Sequence, residues 1–119
     1  MNQLFTEFNI QKTAENTYSV NFSLHPEHVI FQAHFPGQPI LPGITMLRVV
    51  RNITAEIVDK NIHLKSIKNV KFTNVVTPTE VLAMQANITL LEENNHYKVS
   101  GTLHHNNAIA AKLEELVYA

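Results

Sequence analysis

Only one part of this sequence repeats its apolar residues at the spacing of an α-helix. Between residues 44 and 58 they come at intervals of three or four: Met46, Val49, Val50, Ile53 and Ile57. Residues at such intervals share one face of a helix, and an apolar face must be buried against another element. The polar residues form a second stripe: Thr45, Arg48, Asn52 and Glu56. The chain is therefore predicted to have one helix, which its remaining segments must cover.

Most of the remaining segments are predicted to be β-strands. Residues 17–24 alternate strictly between polar and apolar, which is typical of a strand with one buried face. We predict further strands at 4–11, 62–76, 81–91, 96–104 and 108–118, with a hairpin turn near residues 14–16. Because one helix cannot cover both faces of such a sheet, the sheet is expected to wrap around it. This is an α+β arrangement, expected to form one domain over residues 1–119.

Composition excludes several functions. The net charge is −1 and the pI about 6.6, without the basic excess of a nucleic-acid-binding protein. There is no cysteine, hence no disulfide, thiol nucleophile or thiolate metal site. The seven histidines complete no recognisable ligand set, so we predict neither a metal nor a cofactor. No apolar run is long enough to span a bilayer and no signal peptide is visible, so we expect a cytoplasmic protein.

The segment from His25 to Gly43 contains four prolines and two glycines, which prevents regular structure. A long irregular segment in a small domain is usually functional. Within it stands the series His34-Phe35-Pro36-Gly37-Gln38-Pro39-Ile40-Leu41-Pro42-Gly43.

This series resembles the active-site loop of the 3-hydroxyacyl-(acyl-carrier-protein) dehydratases of bacterial fatty-acid biosynthesis. The stretch Ile67-Lys68-Asn69-Val70-Lys71-Phe72, followed by Pro78, resembles the central strand and turn of that family. The likeness covers almost the whole chain. It implies a hotdog fold, in which an antiparallel sheet wraps around one central helix. It also implies removal of water from a (3R)-hydroxyacyl thioester to give a trans-2-enoyl thioester.

The resemblance assigns roles to individual residues. His34 would be the base that removes a proton from C2 of the substrate, and Gly43 would offer its N–H group to the thioester carbonyl. The expected substrate-binding residues are Phe35, Pro36, Gly37, Pro42, Ile44 and Arg48. Gly43 has support from the sequence itself, since no Ser, Thr, Asp or Asn between residues 38 and 44 caps the helix. Its free N–H groups favour a developing negative charge, although water or a loop carbonyl would also satisfy them.

One position departs from the family. Five residues after the glycine that corresponds to Gly43, the family has a carboxylate that helps the hydroxyl leave, and this chain has Arg48. Arginine is a poor proton donor near neutral pH. Three interpretations stay open: a dehydratase with a rearranged acid, a protein that binds acyl thioesters without dehydrating them, or a subunit that pairs with a carboxylate-bearing protomer.

The expected partners follow from the same resemblance. The substrate would be carried by an acyl carrier protein or coenzyme A, and the chain would form a homodimer or higher homo-oligomer, with a heterodimer as the alternative. Lys65, Lys68 and Lys71 could receive an acidic carrier if they border the site, or form an ordinary solvated strand face. A hotdog thioesterase is a further alternative, less favoured because such enzymes generally lack the His-Phe-Pro-Gly loop.

Overall fold

The computed structural model describes residues 5–25, 41–77 and 82–119, and its elements follow the predicted order. They are β1 (Asn9–Ala14), β2 (Thr17–Leu24), α1 (Gly43–Val58), β3 (Leu64–Phe72), β4 (Leu82–Glu93), β5 (His96–His105) and β6 (Ala108–Tyr118). The strands form one six-stranded sheet in the order β1-β2-β4-β5-β6-β3. Every neighbouring pair is antiparallel. No helix within the described ranges is long and apolar enough to cross a membrane.

Two hairpins are closed by asparagine pairs. Asn94 and Asn95 join β4 to β5, and Asn106 and Asn107 join β5 to β6, all with φ between 50° and 65°. Asparagine tolerates positive φ, and two such residues in succession make the tight turn whose twist suits a hairpin. These turns fix the register of the three longest strands.

The core lies between α1 and the inner face of the sheet. Met46, Val49, Val50 and Ile53 are buried, as the helical spacing predicted. The predicted alternation in β2 is confirmed by the burial of Val20, Phe22 and Leu24, and in β4 Met84, Ala86, Ile88 and Leu90 are buried in the same way. The other inward-facing side chains come mainly from β2, β5 and β6: Val20, Phe22, Leu24, Tyr97, Val99, Leu103, Ala111, Leu113, Leu116 and Tyr118.

Two sequence expectations need correction. The first strand begins at Asn9 and not near residue 4, because Phe5 and Phe8 pack edge-on against Phe22, with ring centroids 6.0 and 5.4 Å away, and do not continue the strand. Thr45 was assigned to the polar stripe of the helix, yet it is buried. Its neighbour along the helix, Ile44, is instead exposed to solvent.

Gly101 lies at an irregularity in the pairing of β5 with β6, and its φ is +152°. A Cβ atom here would lie 2.0 Å from the backbone oxygen of Asn87 on β4. The two strands therefore approach more closely at this point than any side chain would allow. Irregular pairing of this kind increases the local twist of a sheet.

Strand β3 forms one edge of the sheet and pairs only with β6 among the described strands. Eight of its nine residues are exposed, Val70 being the exception. An edge strand presents unpaired backbone N–H and C=O groups along its outer side. This edge leads directly to the start of α1, because Phe72 at its end lies against Gly43.

Candidate functional site at the start of the helix

Helix α1 begins at Gly43 without a side-chain cap. The preceding residue, Pro42, is extended (φ −65°, ψ 149°), and the first turn contains no acidic residue. The carbonyl of Pro42 accepts hydrogen bonds from the N–H groups of Thr45 and Met46, at 3.1 and 3.2 Å. No acceptor within the described ranges lies on the N–H groups of Gly43 or Ile44. Within the part of the chain that the structure describes, these two donors lie unpaired at the positive end of the helix dipole, where a ligand or solvent could accept their hydrogen bonds.

A cavity of about 240 Å³ opens at this helix start. Its lining residues come from the helix entry and from the segment after β3: Leu41, Pro42, Gly43, Met46, Phe72, Thr73, Asn74 and Val75. The walls are mainly apolar, and the polar side chains among the lining residues are those of Thr73 and Asn74. Such a cavity suits an acyl chain whose one polar group meets the helix start.

Hydrogen bonds hold both sides of the cavity against the rest of the fold. The N–H of Leu41 donates to the carbonyl of Val76 at 2.8 Å, and both side chains are buried. Beyond β3, the N–H of Thr73 donates to Ala110 on β6 at 3.0 Å. The side-chain amide of Asn74 donates to the neighbouring carbonyl of Ile109 at 2.6 Å. The cavity is thus held by the core and by the last strand.

Gly43 is required here for close approach. A Cβ atom at this position would lie 2.7 Å from Cε2 of Phe72 and 2.8 Å from its Cζ. The Phe72 ring therefore occupies the space that any side chain at position 43 would need, and it forms one wall of the cavity. In the sequence, Phe72 was noted only as the last residue of the strand that resembles the family, and not as a site residue.

The two arginines of the helix have different surroundings. The guanidinium of Arg51 donates to the carbonyl of Ile62 at 2.9 Å and to Oδ1 of Asn61 at 2.5 Å, so it ties the helix to the segment that leads into β3. Arg48 is exposed one turn after Ile44, and its side chain makes no hydrogen bond or ion pair with any residue that the structure describes. Arg51 is structural, whereas Arg48 has no comparable contact within the described ranges.

The predicted site residues divide into two groups. Pro42 and Gly43 line the cavity, and Ile44 and Arg48 lie exposed beside it. His34, Phe35, Pro36 and Gly37 lie outside the described residues, so their assigned roles stay predictions.

Three polar side chains outside the cavity lie on strands β5 and β6. His104 bonds to the hydroxyl of Thr102 at 2.7 Å. His105 ends β5 with its Nε2 buried and without a partner among the described residues, and burial lowers its pKa. Tyr118 is also buried, with no partner for its hydroxyl in the same part of the chain, and burial raises its pKa.

In residues 5–25, 41–77 and 82–119, a six-stranded antiparallel sheet wraps around one helix, which is the architecture of a hotdog protein, and a cavity opens where this helix begins without a side-chain cap. The sequence-based prediction of this fold is confirmed by a solved structure described as the dehydratase heterocomplex ApeI:P from Xenorhabdus doucetiae. The two share a TM-score of 0.72 and 21% identity over 92% of this chain and 93% of that one. The chain belongs to the ApeI-like family, whose model, described as ApeI dehydratase, matches residues 10–112.

Curated relatives agree with this family. The chain is 40% identical over 65 residues to the 3-hydroxyacyl-(acyl-carrier-protein) dehydratase FabZ of Wolbachia pipientis, covering 49% of this chain and 46% of that protein. It is 36% identical over 76 residues to the FabZ of Roseobacter denitrificans, covering 56% of this chain and 49% of that protein. The chain thus spans about half the length of these relatives.

Proposed function

We propose that this protein acts on (3R)-hydroxyacyl thioesters carried by an acyl carrier protein or coenzyme A, and that its site removes water to give a trans-2-enoyl thioester. The observation that carries the proposal is the uncapped start of α1 at Gly43, which opens into an apolar cavity on a dehydratase-family fold. We place this activity in the cytoplasm as part of the same proposal.

The helix start would stabilise the intermediate. In dehydration, a base removes a proton from C2, and the electron pair moves toward the thioester carbonyl, whose oxygen gains negative charge. The free N–H of Gly43, supported by that of Ile44 and by the helix dipole, would hold this oxygen. His34 is the proposed base, because imidazole takes and returns protons near neutral pH.

The second half of the reaction needs a proton donor. The C3–O bond breaks as the C2–C3 double bond forms, and the departing hydroxide must be protonated to leave as water. Arg48 stands where the family has a carboxylate, and its guanidinium does not give up a proton near neutral pH. It can hydrogen-bond the hydroxyl and hold it in place, but a second group must supply the proton.

A second candidate function is favoured by this departure. The chain would be one subunit of a heteromeric dehydratase, in which His34 and a carboxylate of the partner subunit together form one complete site. The solved neighbour of the same fold is itself described as a dehydratase heterocomplex. In such an assembly, the site that contains Arg48 would bind an acyl thioester without dehydrating it.

The experiment is to incubate the purified protein with a 3-hydroxyacyl carrier-protein thioester and to follow the acyl mass, with His34→Ala in parallel. Loss of one water with the wild type alone would support a self-sufficient dehydratase. Loss of water only after a carboxylate-bearing subunit is added would support the heteromeric version. Release of a free acid would contradict both and indicate a thioesterase.

A further inference from the structure

Arg48 lies on α1 within reach of the cavity. It follows Gly43 by five residues, which is about 7.5 Å along the helix axis at 1.5 Å per residue. Side chains on a helix lean toward its N-terminal end, so the side chain of Arg48 should extend over the turn that contains Ile44. Both residues are exposed. The guanidinium can therefore reach a ligand that occupies the cavity.

The described surroundings of the cavity carry no negative charge. None of its eight lining residues is charged, and the first turn of α1 contains no acidic residue. Eight of the ten carboxylates in the chain lie within the described ranges. Glu114 and Glu115 pair with Lys68 and Lys98, and Glu7 precedes β1 at the opposite edge of the sheet. The other five lie at the far end of α1 or of the sheet: Glu15, Glu56, Asp59, Glu92 and Glu93.

A guanidinium at this place favours an anionic ligand. Its charge is permanent near neutral pH, and its planar set of N–H donors matches the two oxygens of a carboxylate. The family has a carboxylate at the position of Arg48, so this chain reverses the sign of the charge beside the bound acyl group. An apolar acyl chain would offer the guanidinium no acceptor. A ligand that complements this cavity should therefore bring an acceptor of its own.

We infer that the cavity takes an acyl thioester whose short acyl chain ends in a carboxylate, of the succinyl or glutaryl type, and that Arg48 binds this carboxylate. The inference rests on the proposed function, since it assigns a substrate class to the same site. The thioester carbonyl would lie at the N–H of Gly43, and the acyl chain would run along the helix toward the guanidinium. A cavity of about 240 Å³ has room for an acyl group of this size.

Glutaryl and glutaramoyl thioesters of N-acetylcysteamine are suitable probes, because they differ in the charge of the terminal group and hardly in shape. Neither has a 3-hydroxyl group, so neither can be dehydrated, and no carrier protein adds its own charge. Dissociation constants for the whole chain are measured by titration followed by nuclear magnetic resonance at low ionic strength. We expect the glutaryl thioester to bind about tenfold more tightly, which corresponds to about 1.4 kcal/mol. Added salt should reduce this preference, because it screens the charges.

Three variants identify the source of the preference. Arg48→Met removes the charge but keeps a long side chain, and it should bring the two dissociation constants to about the same value. Arg48→Lys keeps the charge without the planar set of donors, so it should retain part of the preference. Lys12→Met is the control, because it removes one positive charge from an exposed position on β1, and it should keep the tenfold preference.

Several outcomes would contradict the inference. Equal binding of the two probes by the wild type would overturn it, as would a preference that persists in Arg48→Met. A loss of preference in Lys12→Met would trace the effect to net charge and overturn it as well. A 3-hydroxybutyryl thioester of N-acetylcysteamine is titrated as a third ligand. Binding of this compound alone would overturn the inference and leave the proposed function standing, whereas binding of none of the three would overturn both.

Discussion

Replacing Gly43 with alanine tests the contact that shapes the cavity. The new methyl group would lie 2.7 Å from the ring of Phe72, so the ring must move. Phe72 is 49% exposed, so it buries roughly half of the 200 Å² or so that an aromatic side chain offers. At about 25 cal/mol per Å², complete loss of this contact costs up to about 2.5 kcal/mol. Alanine recovers up to about 1 kcal/mol through its higher helix propensity. The expected net loss of unfolding free energy is therefore about 1.5 kcal/mol.

Urea unfolding followed by circular dichroism measures this loss, and a double-mutant cycle with Phe72→Ala isolates its cause. When the ring is absent, Gly43→Ala should stabilise the protein by up to about 1 kcal/mol, since only the helix-propensity gain remains. The informative result is that Gly43→Ala lowers the unfolding free energy when the ring is present and raises it when the ring is absent. If the two substitutions add within about 0.5 kcal/mol, or if Gly43→Ala alone is stabilising, the ring does not constrain position 43 and the explanation fails.

Three further predictions concern single side chains. Arg51→Met should lower the unfolding free energy by about 1–3 kcal/mol in urea titrations, because it leaves the carbonyl of Ile62 without its hydrogen-bond donor. An unchanged urea midpoint would contradict the structural role of Arg51. Tyr118→Phe should stabilise the protein by about 1 kcal/mol at neutral pH, because it removes a buried hydroxyl without a described partner. Burial raises the pKa of Tyr118 above its ordinary value of 10.0, so the wild type should lose stability as the pH rises beyond 10, more steeply than the variant does. Arg48→Glu should raise the rate at which the protein, without any partner subunit, forms enoyl thioester by about 100-fold. An unchanged rate would show that the lack of an acid at this position is not the only obstacle to dehydration.

The sequence predicted the elements whose signals are periodic and local. The alternation around Val20 and the spacing of Val49 and Ile53 each identify a buried face, and the structure buries all three side chains. The error at Thr45 has a physical reason: helical spacing gives the direction of a side chain, but its burial depends on which segments of the folded chain cover that direction.

The site was predictable only in part. The loop resemblance assigned the role to Gly43, and the absence of a capping residue in the sequence supported it. Its contact with Phe72 joins residues that are far apart along the chain, and no local pattern encodes such packing. The different surroundings of Arg48 and Arg51 could not be predicted either, since the hydrogen bond of Arg51 depends on where the carbonyl of Ile62 lies after folding.

Gly101 affects how this protein can vary. The position is only partly buried, so a ranking by solvent exposure would count it among the more tolerant sites of β5. Yet the main-chain oxygen of Asn87 occupies the place of a Cβ atom, and main chain cannot move aside as a core side chain can. In a saturation mutagenesis experiment, this position should tolerate fewer substitutions than fully buried Val99, where other small aliphatic residues fit. Amino-acid replacement in this chain is thus limited at Gly101 by crowding of the backbone, and at core positions such as Val99 by the packing of side chains.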